Sequence, residues 1–323
     1  MIISRTPFRI SFAGGGTDLP GYYRSSSGAV VSTAIDKYMY ITVNKYFDDS
    51  IILKYSKTEL VASVEEIEHP LLRECLRKVG IRRGIEITSM ADVVGGTGLG
   101  SSSSFTVGVL HALYAYLGQY CPAERLAREA CEIEIERVKE PIGKQDQYVS
   151  AYGGFRFFEF MPDESVKVDP LICPARTLER LQEHLLLIYS GVRRKAGSVL
   201  RRVSAGFKKS VEGPRRMREQ ASELRAALQK GDVDAVGPIL REGWELKKRL
   251  AGGVSTPHID RAYAAAVRSG AAGGKILGAG GGGFLLLFCP PDARAKILRA
   301  VRGWREIPFR FEPEGSKIIH VSQ

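Results

Sequence analysis

The stretch Gly95 to Ser104, Gly-Gly-Thr-Gly-Leu-Gly-Ser-Ser-Ser-Ser, constrains this chain more than any other. Its glycines and serines expose backbone N–H groups and hydroxyls and offer almost nothing to a hydrophobic core, so the flanks must supply the frame. Upstream, Gly84-Ile-Glu-Ile-Thr-Ser-Met alternates apolar and polar residues and predicts a half-buried strand. Downstream, Phe105 to Leu117 has the length and apolar spacing of a mostly buried helix. The serines fall where that helix begins. Ser is a favoured N-cap, and a helix N-terminus offers unpaired N–H groups and a positive dipole end, which together cradle a phosphate. The bland alternative is a glycine-rich connection with a serine cap.

Two familiar phosphate loops are excluded. A Walker A loop ends in Gly-Lys-Ser/Thr, whereas Gly100 is followed by Ser101 with no lysine. A dinucleotide fingerprint needs a helix after its glycines, and Gly278 to Gly283 runs into Phe284-Leu-Leu-Leu-Phe, which reads as a strand.

At 323 residues and 44% hydrophobic, the chain can bury one large core or two lobes, and strand-like and helix-like segments alternate in both halves. The net charge of +11 suits phosphorylated ligands, but it is spread over pairs such as Arg201-Arg202, Lys208-Lys209 and Lys247-Lys248-Arg249, which read as solvated helix faces. No nucleic-acid module is recognisable. Five cysteines without C-x-x-C spacing point to reduced thiols in a cytoplasmic protein. No leader peptide is apparent and no apolar run approaches a membrane span. Oligomeric state is left open, a homodimer included.

In Thr6 to Phe12, Phe8, Ile10 and Phe12 share one face of a strand, and Arg9 and Ser11 the other. Arg9 is thus aimed by a rigid frame. Thr17 and Asp18 follow Gly14-Gly-Gly in a loop of little bulk, either offering a carboxylate to sugar hydroxyls or forming an Asx cap. Ala29–Tyr46 and Ser50–Tyr55 read as strands and Glu65–Val79 as a helix. On a helix through Glu124 to Lys139, Glu134 points with Ala127, Cys131 and Val138, while Glu129, Glu132, Glu136 and Glu140 line another stripe. A buried carboxylate needs compensation, from a divalent cation beside phosphates or from a core salt bridge, unless the helix frame is shifted. Asp146 lies near the start of a short helix ending at Gly153, where a carboxylate faces the positive dipole end or acts only as an N-cap. Leu185–Ser190 reads as a strand, and Ser204–Gly231, Val233–Leu250 and Ile259–Ser269 as helices. Lys275-Ile-Leu leads into Gly278-Ala-Gly-Gly-Gly-Gly, whose glycine density predicts close backbone packing against the first loop or a flexible turn.

With these pieces in place the chain resembles the GHMP kinase superfamily, named for galactokinase, homoserine kinase, mevalonate kinase and phosphomevalonate kinase. Three motifs carry the resemblance in the family's order: Pro7-Phe-Arg-Ile-Ser-Phe-Ala-Gly-Gly-Gly-Thr-Asp, Gly95-Gly-Thr-Gly-Leu-Gly-Ser-Ser-Ser and Lys275-Ile-Leu-Gly-Ala-Gly-Gly-Gly-Gly-Phe. The resemblance implies a two-lobed α+β fold, with an N-terminal domain (1–180) like that of a small-subunit ribosomal protein and a ferredoxin-like C-terminal domain (181–323). It further implies that Gly95, Gly96, Thr97, Gly98, Leu99, Gly100, Ser101, Ser102 and Ser103 wrap the phosphates of ATP. Ser102 and Glu134 would hold Mg2+, Arg9 would stand beside the transferred group, and Asp146 would take the catalytic position. Gly16, Thr17, Asp18 and Asp146 would form the sugar site, and Gly278, Gly280, Gly281 and Gly282 would support the phosphate loop.

Twelve residues separate Glu134 from Asp146, as in the galactokinase pattern. Two positions depart from it: Val94 stands where the second motif usually begins with proline, and Gly15-Gly16 replace the Glu-His of galactokinase. The second departure leaves a roomier pocket and argues against galactose. Gly14 to Pro20 together with Gly143-Lys-Gln-Asp-Gln-Tyr is similar to the branch acting on the anomeric hydroxyl of D-glycero-D-manno-heptose 7-phosphate, on the way to GDP-heptose. Arg193 and Arg194 are candidates for the sugar's phosphate, with a solvated helix start as the alternative. Rival readings are a kinase for fucose or unphosphorylated heptose, and a sensor that kept the fold without catalysis.

Overall fold

The structure, a computed structural model, describes residues 1–193, 197–207 and 212–322. In chain order the strands are β1 (Ile2–Ala13), β2 (Gly28–Lys45), β3 (Ile51–Lys54), β4 (Thr58–Val61), β5 (Ile85–Ala91), β6 (Phe155–Phe160), β7 (Val166–Pro170), β8 (Leu185–Tyr189), β9 (Gly273–Ile276), β10 (Phe284–Phe288), β11 (Arg305–Glu306) and β12 (Lys317–Val321). The helices are α1 (Pro20–Tyr23), α2 (Pro70–Val79), α3 (Ser101–Tyr116), α4 (Ala123–Cys131), α5 (Gln145–Tyr152), α6 (Ala175–His184), α7 (Gly197–Phe207), α8 (Glu212–Gln229), α9 (Val236–Leu250), α10 (Pro257–Arg268) and α11 (Arg294–Ala300).

β2 is long enough to serve two neighbours on one edge. Its first half pairs with β6 and its second half with β5, while β1 runs along the other edge. The first sheet therefore runs β12-β1-β2-β5-β3-β4, with β6 and β7 branching from β2. Helix α3 lies across β1 and β2. It is apolar nearly all round, with Val107, Val109, Leu110 and Leu113 wholly buried, as a helix enclosed by protein must be. Truncating such a leucine costs about 2–5 kcal/mol, so the start of α3, and the glycine loop before it, is held firmly against the sheet.

The second sheet has the order β11-β8-β10-β9 and is antiparallel throughout. Its elements follow a β-α-β-β-α-β sequence, the ferredoxin-like arrangement. The last strand, β12, returns to pair with β1. A division at residue 180 falls inside α6, and the C-terminal tail belongs to the first sheet.

Several sequence expectations need correction. The helix expected over 65–79 starts at Pro70, because a proline without an N–H suits the first helical position; Val64–Glu66 is a separate 3-10 turn. The helix expected over 124–139 is α4 followed by a π-helical segment, Glu132–Arg137. Glu129, expected on the outer stripe, is buried, where Tyr114 and Arg125 donate to its carboxylate. The helix expected over 204–231 is represented by α7 and α8; residues 208–211 lie outside the described residues. Lys275 lies on β9, so the glycine-rich turn is a hairpin connection between β9 and β10. The five cysteines are free, and among the described residues no helix is long and apolar enough to cross a membrane.

Candidate active site

The glycine loop and α3 open onto a cavity of about 990 Å³ between the two sheets. Gly95, Gly96, Gly98, Gly100, Ser101, Ser102 and Ser103 line it. The N-cap is Gly100 in a left-handed conformation, not a serine. The serines occupy the first turn; the N–H groups of Ser101, Ser102 and Ser103 have no partner within the helix, while Ser104 N donates to Gly100 O at 3.0 Å. Thr97 and Leu99 are buried behind the loop, and the Thr97 hydroxyl donates to Val94 O at 2.9 Å.

The hairpin turn braces this loop at two neighbouring residues, Thr97 and Gly98. Gly98 and Gly278 meet backbone to backbone: a Cβ on Gly98 would stand 2.5 Å from Leu277 O, and one on Gly278 would stand 2.6 Å from Gly98 Cα. Thr97 O accepts from Phe284 N at 3.2 Å. Gly280 and Gly281 instead pack on Val254, and Gly282 on Val192, so they support the loop only through the turn.

Arg9 crosses from β1 to the start of α5. Its Nε and Nη2 donate to the two carboxylate oxygens of Asp146, each at 2.7 Å, and its Nη1 donates to Gly98 O at 2.6 Å. Three of five donors are thereby committed. Asp18 is also buried in the wall; Gly16 N donates to one oxygen at 2.8 Å and Gln145 N to the other at 3.2 Å. Burial, then the nearby Asp146, raises the Asp18 carboxyl above its usual range. Thr17 does not line the cavity: it is wholly buried, and its hydroxyl donates to Gly14 O and Ala29 O.

Glu134 sits directly behind the serines, wholly buried in the π-helical segment. Ser102 Oγ donates to Oε1 at 2.6 Å, while Ser103 Oγ at 2.7 Å and Gln147 Nε2 at 2.6 Å donate to Oε2. Burial outweighs these bonds and raises its carboxyl from 4.5 to about 7. Among the described residues no group of three His, Cys, Asp or Glu could hold a metal ion alone. Mg2+ commonly uses one or two carboxylates and completes its shell with waters and substrate phosphates. A buried carboxylate touching a serine hydroxyl at the phosphate loop fits that donor set.

Several cavity residues were not singled out as site residues from sequence, Lys247, Lys275, Ser11, Gln145 and Arg201 among them. Lys247 and Lys275 are both buried in the wall. Lys275 donates to Phe12 O at 3.1 Å, and Lys247 donates to Gly278 O. Lys247 belongs to a run read as a solvated face; α9 turns that residue inward, which helical periodicity alone could have suggested. Desolvation, followed by Lys247 and Arg9, pushes the Lys275 ammonium well below its usual range. Ser11 and Gln145 also line the cavity. At the rim stand the exposed Arg201 and Arg193, the latter donating from Nε to Gly95 O at 3.2 Å. Arg194 lies outside the described residues.

A glycine- and serine-lined cradle, a part-buried Arg–Asp pair and a serine-backed carboxylate around one cavity are the arrangement a phosphotransferase needs. The GHMP kinases N terminal domain matches residues 64–154 and the GHMP kinases C terminal domain residues 224–305. The chain is 30% identical to a D-glycero-alpha-D-manno-heptose 7-phosphate kinase of Campylobacter jejuni, over 98% of both chains. It is 27% identical to the bifunctional fucokinase/GDP-fucose pyrophosphorylase of Arabidopsis thaliana, over 91% of this chain and 30% of that one. The structure of a D-glycero-D-manno-heptose 1-phosphate kinase from Bacteriodes thetaiotaomicron superposes with a TM-score of 0.82 at 26% identity, covering 100% of each chain. This chain belongs to the GHMP kinase family. It is a sugar kinase, an ATP-dependent phosphotransferase with that family's two-domain architecture.

Proposed function

We propose that the enzyme transfers the γ-phosphoryl group of ATP to the anomeric hydroxyl of D-glycero-D-manno-heptose 7-phosphate, giving the 1,7-bisphosphate used for GDP-heptose. The observation that carries this reading is the shared cavity: the phosphate loop, the Arg9–Asp146 pair and the open Gly15–Gly16 turn face the same space, with Arg193 and Arg201 at its rim. The similarity to heptose-phosphate kinases supports it. The small turn leaves room for a long sugar, and the rim cations suit a phosphate on its far end. A cytoplasmic setting accords with the free thiols.

In this reading the loop amides from Gly95 to Ser103 bind the triphosphate. The anomeric oxygen attacks the γ-phosphorus, the bond to the β–γ bridging oxygen breaks, and ADP leaves with that electron pair. The hydroxyl proton passes to Asp146. Arg9 holds Asp146 and Gly98 in register, and its remaining donors, with the Lys275 ammonium, face the charge that develops. Ser102 and Glu134 would hold Mg2+, which would supply charge neutralisation for the ATP phosphates. Phosphoryl transfer has a loose transition state, so positioning and electrostatics provide most of the acceleration.

Measuring ATP consumption with heptose 7-phosphate, unphosphorylated heptose, L-fucose and D-galactose tests the proposal. The expected ranking places heptose 7-phosphate first in kcat/KM by at least about tenfold; preference for fucose would replace the assignment.

A further inference from the structure

We propose that Ser11 and Gln145 form a neutral hydroxyl-reading pair that selects the acceptor sugar, with Gly15 kept small to leave the sugar's place between them. This rests on the sugar-kinase reading and extends it to residues outside the phosphate machinery.

The pair is defined by missing partners. Ser11 is 4% exposed and lines the cavity, yet its Oγ is buried and makes no hydrogen bond among the described residues. The Gln145 side chain also lines the cavity, and its buried Oε1 is likewise unpartnered. Leaving such atoms unpaired costs about 1–3 kcal/mol each. Two such costs side by side in one wall are what a site shows when its partner is a ligand.

Gly15 gives the independent observation. Its neighbours Gly14 and Gly16 have φ of 82° and 110°, where glycine is favoured, but Gly15 is absent from the positive-φ glycines. Backbone conformation therefore does not demand glycine there. A Cβ on Gly15 would stand 3.0 Å from Ser11 Oγ and 3.6 Å from Gln145 Nε2. The Ser11 hydroxyl and the Gln145 amide nitrogen thus border the space that a side chain at 15 would take, and the unpartnered Oε1 is the other end of the same amide. Each can donate and accept, which matches a sugar hydroxyl and not a phosphate, whose oxygens only accept at neutral pH. Position is also apt: Gln145 N holds Asp18, and the next residue is Asp146, so whatever the pair grips lies beside the proposed transfer centre.

A cavity built to pair with hydroxyls rejects ligands that lack them, because its own buried groups are then stranded. Ser11→Ala and Gln145→Met remove the polar atoms with little change in volume. Each is expected to raise the sugar KM roughly tenfold, the energy of one hydrogen bond, with the ATP KM unchanged within about twofold. Gly15→Ser should fill the space and satisfy the pair, lowering sugar kcat/KM by more than about a hundredfold while keeping nucleotide affinity and Tm. Wild-type enzyme is first ranked on the four sugars named above, and the variants are compared on the sugar it prefers. Preference for a sugar other than heptose 7-phosphate defeats the substrate assignment but not the pair. Unchanged sugar KM in both Ser11→Ala and Gln145→Met, with Tm within about 2 °C of wild type, overturns the pair. An equal rise in sugar and ATP KM also overturns it, because a merely structural role would move both.

Discussion

Arg9 and Asp146, 137 residues apart in the chain, form a two-pronged ion pair with both N···O distances at 2.7 Å, and the Arg9 side chain is only 3% exposed. Arg9 therefore organises the carboxylate and the phosphate loop before it can address any phosphoryl group. Asp146→Asn should abolish turnover while leaving nucleotide binding measurable by calorimetry. It should also cost about 2 kcal/mol of stability, below the roughly 3–5 kcal/mol for breaking a fully buried pair, because Asp146 is 23% exposed. Normal turnover in that variant would remove Asp146 from the mechanism.

Glu134 predicts a pH dependence. Its carboxyl is raised from 4.5 to about 7 in the folded protein, so folding favours the protonated form. The contribution is fully present below about pH 4.5 and is lost as pH rises through about 7. Glu134→Gln should therefore have a higher Tm than wild type near pH 8, with the gap closing near pH 5. Binding of Mg2+ and ATP should release protons near pH 7 in the wild type, because a cation ligand must be deprotonated. Calorimetry in buffers of different ionisation enthalpy reads this release, and its absence would take Glu134 out of the proposed metal site.

The Gly98–Gly278 contact leaves no room for a methyl group. Gly98→Ala, at φ 90° and 2.5 Å from Leu277 O, should weaken ATP binding at least tenfold and lower Tm. Gly252→Ala, with no atom within 4 Å of its Cβ, is the control and should be near neutral.

Lys275 is a buried lysine whose one hydrogen bond among the described residues is to a carbonyl, Phe12 O. Lys275→Met should leave Tm unchanged or raised, since a buried amine that is costly to charge is removed, while kcat falls by about 10–100-fold. The fall should be equal for phosphorylated and unphosphorylated heptose. A loss confined to the phosphorylated sugar would move the Lys275 ammonium from the transferring group to the substrate's own phosphate.

Arg193 and Arg201 carry the assignment of a phosphorylated acceptor. Replacing both with alanine should raise the KM for heptose 7-phosphate about tenfold and leave that for unphosphorylated heptose unchanged, with the effect shrinking at high salt. Equal KM changes for the two sugars would point away from a phosphorylated substrate.

Local signals in the chain determined a good deal. Gly95 to Gly100 had to be a loop that opens into a helix at the serines, because its glycines have no side chain to bury and its flanks alternate and then repeat with helical spacing. The period of two put Arg9 on a strand face, and the helical stripe put Glu134 among apolar residues. Tertiary structure alone decided which of these groups meet and what they spend their bonds on. Arg9 takes Asp146 and Gly98 as partners, Thr17 turns its hydroxyl to the backbone, Lys247 and Lys275 become buried, and β12 returns to β1. The Lys275–Phe12 bond joins residues 263 apart. Periodicity and turn chemistry act over a few residues, so they specify elements and the faces of elements. Partners brought together by packing two sheets around one cavity depend on the whole chain's burial, which no short window of sequence contains.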